Sequence, residues 1–183
     1  MAAELTDAVR AALSGVQQRL RGQLTGARWV PVETMHLTFK FLGEIAESRV
    51  PSLREALGRA LPAADVAPFT LRVHGLGVFP DRKRPRVLWA GLTCPTSGMP
   101  ERLHQRIDEA AHAAGCPRET RPFHPHLTLA RLGDKGGGRV GNLLSAAGQE
   151  DLGAFDVSSV WLFHSMLKPA GAEHRRLEEY RLA

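Results

Sequence analysis

The tripeptide His-Leu-Thr occurs twice in this sequence, at residues 36–38 and again ninety residues later at 126–128. Side chains alternate between the two faces of a β-strand, so each copy places a histidine and a threonine on one face and a leucine on the other. The similarity continues through HLTFKFLGE (36–44) and HLTLARLGD (126–134), which share a Leu-Gly pair and an acid at matching offsets. The repeat therefore constrains the chain to a fold with two similar strands, each buried on one side only.

The polar residues of the repeat are suited to proton transfer. The unperturbed pKa of histidine, near 6.5, allows neutral and protonated imidazoles to coexist around neutrality. Two strand-borne imidazoles offer one proton donor and one proton acceptor, which a metal-free phosphoryl or acyl hydrolysis requires.

Hydrophobic periodicity predicts three helices and a set of strands around the repeat. Helices are expected from Thr6, from Ser48 to Pro62 and from Pro100 to Gly115, with a weaker one near 140–148. Strands are expected at 28–32, at both repeats, and at 69–78, 87–92 and 155–167. The pattern of residues 175–182 leans helical, although its context suggests an edge strand.

Strict alternation in the first repeat predicts which side chains reach the core. Leu37, Phe39 and Phe41 should point to the core, whereas His36, Thr38 and Lys40 should point away from it.

The order of strand, His-Leu-Thr strand, helix and strand occurs about twice. The sequence therefore predicts an α+β fold of two pseudo-symmetric lobes, each an antiparallel sheet with outer helices, with the active-site cleft between them. No linker rich in Gly, Pro or Ser separates the lobes, so residues 1–183 are expected to form a single bilobal domain.

Charge indicates the class of partner. The formal net charge is +5, mostly from arginine, and arginine binds phosphate through paired donors. An ordinary solvated basic surface would give the same composition. The densest cluster, Arg82-Lys83-Arg84 with Arg86, lies in a predicted loop near Phe79 and Trp89.

No apolar run is long enough for a membrane span, and the two cysteines make no disulfide framework, so we expect a cytoplasmic protein.

Four segments resemble the 2H phosphoesterase superfamily, and within it the RNA 2′,3′-cyclic phosphodiesterases, also described as 2′-5′ RNA ligases. They are RWVPVETMHLTFKFLGEI (28–45), FPDRKRPRVLWAGL (79–92), RPFHPHLTLARLG (121–133) and VSSVWLFHSMLKPAGAEHRRLEEYRL (157–182). Such proteins open with an apolar strand before the first helix, and residues 1–4 stand where its end would be. We therefore expect that this lobe lacks the strand or that the true start lies upstream.

The resemblance implies hydrolysis of a 2′,3′-cyclic phosphate at an RNA 3′ end to a 2′-phosphate, with 2′-5′ RNA ligation as a side reaction. By family assignment His36 is the proton donor and His126 the proton acceptor, although the sequence itself does not distinguish them. Thr38 and Thr128 would bind the non-bridging phosphate oxygens. We expect a monomer whose reaction needs no cofactor and no metal. Its substrates would be RNA ends with a cyclic phosphate, such as tRNA fragments, or small cyclic nucleotides.

Two further residues are candidates for substrate binding. The pattern Pro-His-x-Thr-Leu-x-Arg suggests that Arg131 contacts phosphate or ribose, although strict alternation places it on the leucine side. Phe123, beside prolines, is the better candidate for stacking on a base, whereas Phe39 and Trp89 are expected in the core.

Two other functions remain open. One is an RNA-binding protein of the same fold without turnover, against which the intact histidines of both repeats argue. The other is a metal-dependent hydrolase that uses His36, His124 and His126 as ligands. No acidic or cysteine ligand stands at a typical spacing from these histidines, which disfavours a metal site.

Overall fold

The computed structural model describes residues 1–62, 66–96, 98–133, 144, 150–168 and 171–183, and only the backbone at 167, 168, 171 and 172. This part of the chain contains three α-helices, α1 (Asp7–Arg21), α2 (Val50–Ala60) and α3 (Met99–Ala113). Its strands are β1 (Ala2–Glu4), β2 (Arg28–Trp29), β3 (His36–Thr38), β4 (Phe69–Phe79), β5 (Val87–Thr93), β6 (His126–Arg131), β7 (Asp151–Val157), β8 (Ser159–Lys168) and β9 (Gly171–Arg181).

The strands form two antiparallel sheets. The first sheet has the order β3-β1-β8-β9, and the second has the order β2-β6-β5-β4-β7. The two His-Leu-Thr repeats are thus in different sheets: β3 lies at the edge of the first, and β6 lies between β2 and β5 in the second. This α+β arrangement of two antiparallel sheets with helices confirms the predicted fold class.

The helices bury the apolar faces that their periodicity predicts. Thr6 caps α1 by accepting a hydrogen bond from the Val9 amide, and the buried stripe of α1 packs near β7. Helices α2 and α3 pack against each other, and α2 also contacts β9. Side chains from both sheets join one hydrophobic core. Of the helices in the described ranges, none combines the length and apolar composition that a membrane span requires.

In the C-terminal part, the structure divides one predicted strand and confirms the edge strand that the context of the tail suggests. The strand predicted at 155–167 is two strands interrupted at Ser158, with β7 in the second sheet and β8 in the first. The ambiguous tail is an edge strand, β9, paired with β8. The helix predicted near 140–148 lies outside the described residues apart from Leu144.

The expectation that the first lobe lacks its N-terminal strand was wrong. Ala2–Glu4 form β1 in the interior of the first sheet, paired with β3 on one side and with β8 on the other. Ala-Ala-Glu contains no β-branched or aromatic residue, so its local propensity does not indicate a strand. Its pairing with two neighbouring strands determines its conformation instead.

The predicted alternation in the first repeat fails after Phe39. Lys40 is only 4% exposed, whereas Phe41 is 77% exposed. The reason is a buried ion pair: the Lys40 Nζ lies 2.6 Å from Asp108 Oδ1 on α3 and donates to the Pro117 carbonyl at 2.8 Å. Strand β3 ends at Thr38, so alternation no longer governs the residues that follow.

Candidate active site

The strands that carry the two repeats lie next to each other where the two sheets meet. Leu37 of β3 and Leu127 of β6 are both fully buried in the same hydrophobic core. Because alternate residues of a strand face opposite sides, the histidine and threonine of each repeat face away from that core. This supports the prediction that the polar faces of the two repeats open toward a common space.

The two histidines of the repeats make the same local hydrogen bond. The Nδ1 of His36 lies 2.9 Å from the Thr34 carbonyl oxygen, and the Nδ1 of His126 lies 2.7 Å from the His124 carbonyl oxygen. A carbonyl only accepts, so Nδ1 carries the proton in each ring and donates it. In the neutral rings, Nε2 is then the nitrogen with a free lone pair. Each backbone therefore leaves Nε2 as the ring nitrogen that is able to accept a proton.

His36 is the more buried of the two and is surrounded by rings from the first sheet. Its ring stacks on Phe163 at 5.8 Å and meets His174 edge-on at 4.8 Å between centroids. Burial lowers the pKa of His36 below 6.5, and the nearby His174 and Arg10 lower it further, against the raising effect of the Thr34 hydrogen bond. In the free protein at neutral pH, the His36 ring is therefore mostly neutral.

A cavity of about 430 Å³ opens beside His36. Its lining carries both signs of charge, and Arg176 in it forms an ion pair with Glu4 while its guanidinium lies 5.0 Å from the centre of the Trp161 ring. The lining residues are Glu4, Arg10, Glu33, Thr34, Met35, His36, Phe163, His174 and Arg176.

Arg10 of α1 holds the turn that precedes β3. Its Nη1 donates to the carbonyls of Val32, Glu33 and Met35 at 2.6, 2.9 and 3.2 Å. These carbonyls flank Thr34, whose own carbonyl accepts the Nδ1 proton of His36. One guanidinium thus fixes the segment that orients the His36 ring.

His126 is surrounded by aromatic residues of the second sheet. Its ring meets Phe79 edge-on at 4.9 Å and lies 6.3 Å from Trp89, and Phe79 and Trp89 are themselves 5.2 Å apart. The indole covers Gly77, where an added Cβ would overlap the Trp89 ring. Trp89 is thus partly exposed beside His126, rather than in the core as expected from the sequence.

The two threonines of the repeats face outward with their histidines. Thr38 is exposed and pairs with Ala2, and Thr128 is partly exposed and pairs with Trp89. Among the described residues, neither hydroxyl has a hydrogen-bond partner. Both hydroxyls are therefore available to a phosphate oxygen.

A β-bulge corrects the placement of Arg131. Thr128 pairs with Trp89 and Ala130 with Leu88, so Leu129 is an extra residue between two regular pairs. Arg131 then pairs with Val87 and joins the face of His126 and Thr128, where it is exposed. Strict alternation, which places Arg131 on the leucine side, was therefore wrong, and the bulge makes a contact with substrate geometrically accessible.

Phe123 lies in a stack of rings rather than alone at the surface. Its ring is nearly parallel to those of His104 at 4.6 Å and Phe39 at 5.7 Å, and it packs partly buried against the core. His104 also donates from Nδ1 to the Phe39 carbonyl at 2.7 Å. These contacts give Phe123 a packing role, and base stacking by Phe123 stays a prediction.

Sequence patterns do not indicate that His174, Phe163 and Phe79 lie beside the repeats. His174 belongs to the ambiguous tail, and its proximity to His36 depends on the pairing of β9 with β8. The Nδ1 of His174 lies 2.8 Å from the Ser165 hydroxyl, and burial lowers the pKa of His174.

In the described part of the chain, no group of three or more His, Cys, Asp or Glu residues is arranged to hold a metal ion.

Comparison with known proteins defines the class of this molecule. Residues 4–89 and 98–172 match the family model described as LigT-like phosphoesterase, and the chain therefore belongs to that family. Among its relatives, the RNA 2′,3′-cyclic phosphodiesterase of Thermus thermophilus is 35% identical over 183 residues, covering 97% of this chain and 86% of that protein. That of Aeropyrum pernix is 33% identical over 152 residues, covering 82% of this chain and 84% of the other. The crystal structure of the Thermus thermophilus protein TT0787 superposes with a TM-score of 0.81 at 31% identity, covering 99% of this chain and 95% of that one.

Proposed function

We propose that this protein hydrolyses 2′,3′-cyclic phosphates at RNA 3′ ends to 2′-phosphates. The main support is that the two repeats present equivalent Nε2 atoms, with free threonine hydroxyls beside them, from strands of the two sheets that lie close together. The names of relatives that share about a third of their residues with this chain agree with this activity.

In the proposed reaction, water attacks the phosphorus while Nε2 of His126 accepts its proton. The bond from phosphorus to the ribose 3′ oxygen breaks, and the protonated Nε2 of His36 donates to that oxygen. The phosphate stays on the 2′ oxygen, so one water is consumed and the rings exchange protonation states. Thr38 and Thr128 bind the non-bridging oxygens, and Arg131 contacts phosphate or ribose, which positions the group and stabilises its charge.

The donor role of His36 requires that substrate binding restore its proton. Burial keeps the pKa of His36 low in the free protein, whereas an anionic phosphate beside the ring would raise it because opposite charges favour the protonated form. Protonation of His36 and binding of the phosphate are therefore coupled in this proposal.

The same groups would also carry 2′-5′ RNA ligation as a side reaction. A 5′-hydroxyl would replace water, lose its proton to His126 and attack the phosphorus. The 3′ oxygen would leave with a proton from His36, and a 2′-5′ phosphodiester would result.

We further propose that residues 1–183 act as one bilobal domain, because both sheets contribute to a single core. We also propose that the protein acts as a monomer. The substrates would be RNA ends such as those of tRNA fragments, as well as small cyclic nucleotides.

The test is an assay with chelator present. The pure protein, with EDTA, is incubated with an oligonucleotide that ends in a 2′,3′-cyclic phosphate, alongside His36→Ala and His126→Ala. We expect a 2′-phosphate product from the wild type and a loss of roughly 100-fold or more in kcat/KM from each substitution. His112→Ala is the control, because His112 lies on α3 and its ring binds the Cys116 carbonyl just after that helix, so this substitution should leave the rate unchanged.

Other outcomes would favour the alternatives. Activity lost with EDTA and restored by a divalent cation would support a metal-dependent hydrolase. RNA binding without product would support a non-catalytic binding protein.

A further inference from the structure

Five cations at one end of the second sheet lack a carboxylate partner. They are Arg28, Arg82, Lys83, Arg84 and Arg131, all exposed and none within ion-pair distance of an acidic side chain among the described residues. Many other surface arginines are paired with carboxylates, as in Arg19–Glu150, Arg54–Glu178, Arg59–Glu55, Arg72–Asp151, Arg121–Glu119 and Arg176–Glu4. The unpaired cations leave a local excess of positive charge.

The sheet register places two of these cations, Arg28 and Arg131, side by side. Arg28 pairs with Arg131, Arg131 with Val87, and Val87 with Phe79, so four strands contribute one continuous row on one face. This is the face that carries His126 and Thr128, because the bulge at Leu129 turns Arg131 toward it.

The basic loop joins the same row. Residues 82–84 lie in the connection between Phe79 of β4 and Val87 of β5, which is closed by a hydrogen bond from the Arg86 amide to the Phe79 carbonyl. The only acid within the loop, Asp81, accepts from the backbone amides of Lys83 and Arg84, which orders the turn. Three cations are thus held at the end of the row.

We propose that this row and loop, which we call the basic track, bind the single-stranded RNA that precedes the terminal cyclic phosphate. Arg131 stands three residues beyond Thr128, which is about 10 Å along the strand. The inference rests on the proposed function, since the terminal phosphate must lie at the repeats for upstream phosphates to reach the track. Unpaired arginines and lysines attract phosphates, and Phe79 offers a ring for stacking where the track meets His126.

Binding tests this inference directly. A tetranucleotide that carries a 2′-phosphate and a 5′ fluorophore is titrated by anisotropy against the wild type, Arg82→Ser/Arg84→Ser and Arg28→Ser. We expect the double variant to weaken binding about tenfold and to lower the slope of log Kd against log salt by about 0.7 for each phosphate that the variant no longer binds. The matched control, Arg59→Ser/Arg102→Ser, removes two charges from α2 and α3 and should leave affinity and slope unchanged.

Kinetics separate the track from the catalytic site. For adenosine 2′,3′-cyclic phosphate, which has no upstream nucleotide, the track variants should keep the wild-type kcat/KM. For a tetranucleotide with a cyclic phosphate end, the double variant should lose about tenfold, mainly through KM.

Any one of three results would overturn the proposal that the basic track binds RNA. The control pair weakens binding as much as the track pair, the track double variant loses kcat/KM equally on both substrates, or its affinity for the tetranucleotide is unchanged. If the wild type hydrolyses neither of the two substrates, the proposed function is refuted. The anisotropy titration would still decide whether the basic track binds RNA.

Discussion

The chemistry of the site depends on how each backbone fixes its own histidine. In both repeats, the carbonyl two residues before the histidine accepts the Nδ1 proton. The segment before His126 is stiffened by Pro122 and Pro125, whereas the turn before His36 is held by Arg10 from a distant helix. Two different structural solutions thus produce the same Nδ1 hydrogen bond. The repeat itself, with its histidines and threonines, could be predicted from the sequence, but the Arg10 contacts could not because they join positions more than twenty residues apart.

Among the side chains of the site, His36 gives a prediction about titration. In the free protein its pKa should lie below 6.5 because the ring is buried, and adenosine 2′-monophosphate should raise it because the phosphate favours the charged ring. When binding of a ligand raises the pKa of a group, the affinity for that ligand rises as pH falls. The nucleotide should therefore bind more tightly as pH decreases through the interval between the free and bound pKa values of His36.

Histidine-selective NMR checks this prediction. Long-range ¹H–¹⁵N spectra should show the proton on Nδ1 in both neutral rings. The resonances of His112 are the control and should not change when the nucleotide is added, because that ring lies on α3 and binds Cys116. A free pKa of His36 at or above 6.5, or one that the nucleotide leaves unchanged, would contradict the proposed coupling.

Among the strands and helices, local patterns predict most of the structure well, and the exceptions have tertiary causes. Leu129 and Ala130 are both apolar, so the bulge between them has no signature in polarity, and only pairing with β5 reveals that Arg131 changes face. Lys40 violates alternation because its partner Asp108 lies on α3, 68 residues away. Neither feature can be read from one strand considered alone.

The ion pair of Lys40 and Asp108 joins the segment after β3 to α3 and to the segment before β6. Burial alone would raise the pKa of Asp108, but hydrogen bonds from Lys40 and from the Glu119 amide outweigh it, so the pKa lies below 3.8. Because this pKa is lowered on folding, the carboxylate contributes stability above its unfolded pKa. That contribution is lost as pH falls through the folded pKa, below about 3.8.

We predict that Lys40→Met lowers the free energy of unfolding by about 3–5 kcal/mol at pH 7, because it leaves a buried carboxylate without its main partner. Lys40→Met/Asp108→Asn should cost less than the single substitution, since no buried charge remains. Urea denaturation measures both, and the double variant should also lose less stability than the wild type below pH 4.

The control for the ion pair is Arg59→Met, which breaks an exposed pair on α2 and should cost less than about 1 kcal/mol. A double variant less stable than Lys40→Met would show that the remaining contacts of the Asp108 carboxylate, with the Glu119 amide and Arg118, outweigh the cost of its unpaired charge.

In the molecule as a whole, the two sheets meet at β3 and β6 and share one core, which brings the paired repeats together although ninety residues separate them. The repeat in the sequence predicts two similar lobes. Their relative placement follows from Leu37 and Leu127 entering the same core, a contact that no local pattern encodes. In the proposed function, a single scissile phosphate binds at this junction.

Joint action of both histidines on one phosphate should appear as coupling between their substitutions. Affinity for adenosine 2′-monophosphate is measured by calorimetry for the wild type, His36→Ala, His126→Ala and the double variant. If one phosphate contacts both rings, the losses are coupled, and the double variant should bind more tightly than the sum of the single effects implies, by about 0.5–3 kcal/mol. The pair His112→Ala and His126→Ala is the control and should be additive, because His112 lies on α3. Strict additivity for His36 and His126 would place the two imidazoles in separate sites. The proposed mechanism, in which His126 accepts a proton and His36 donates one at a single phosphorus, would then be wrong.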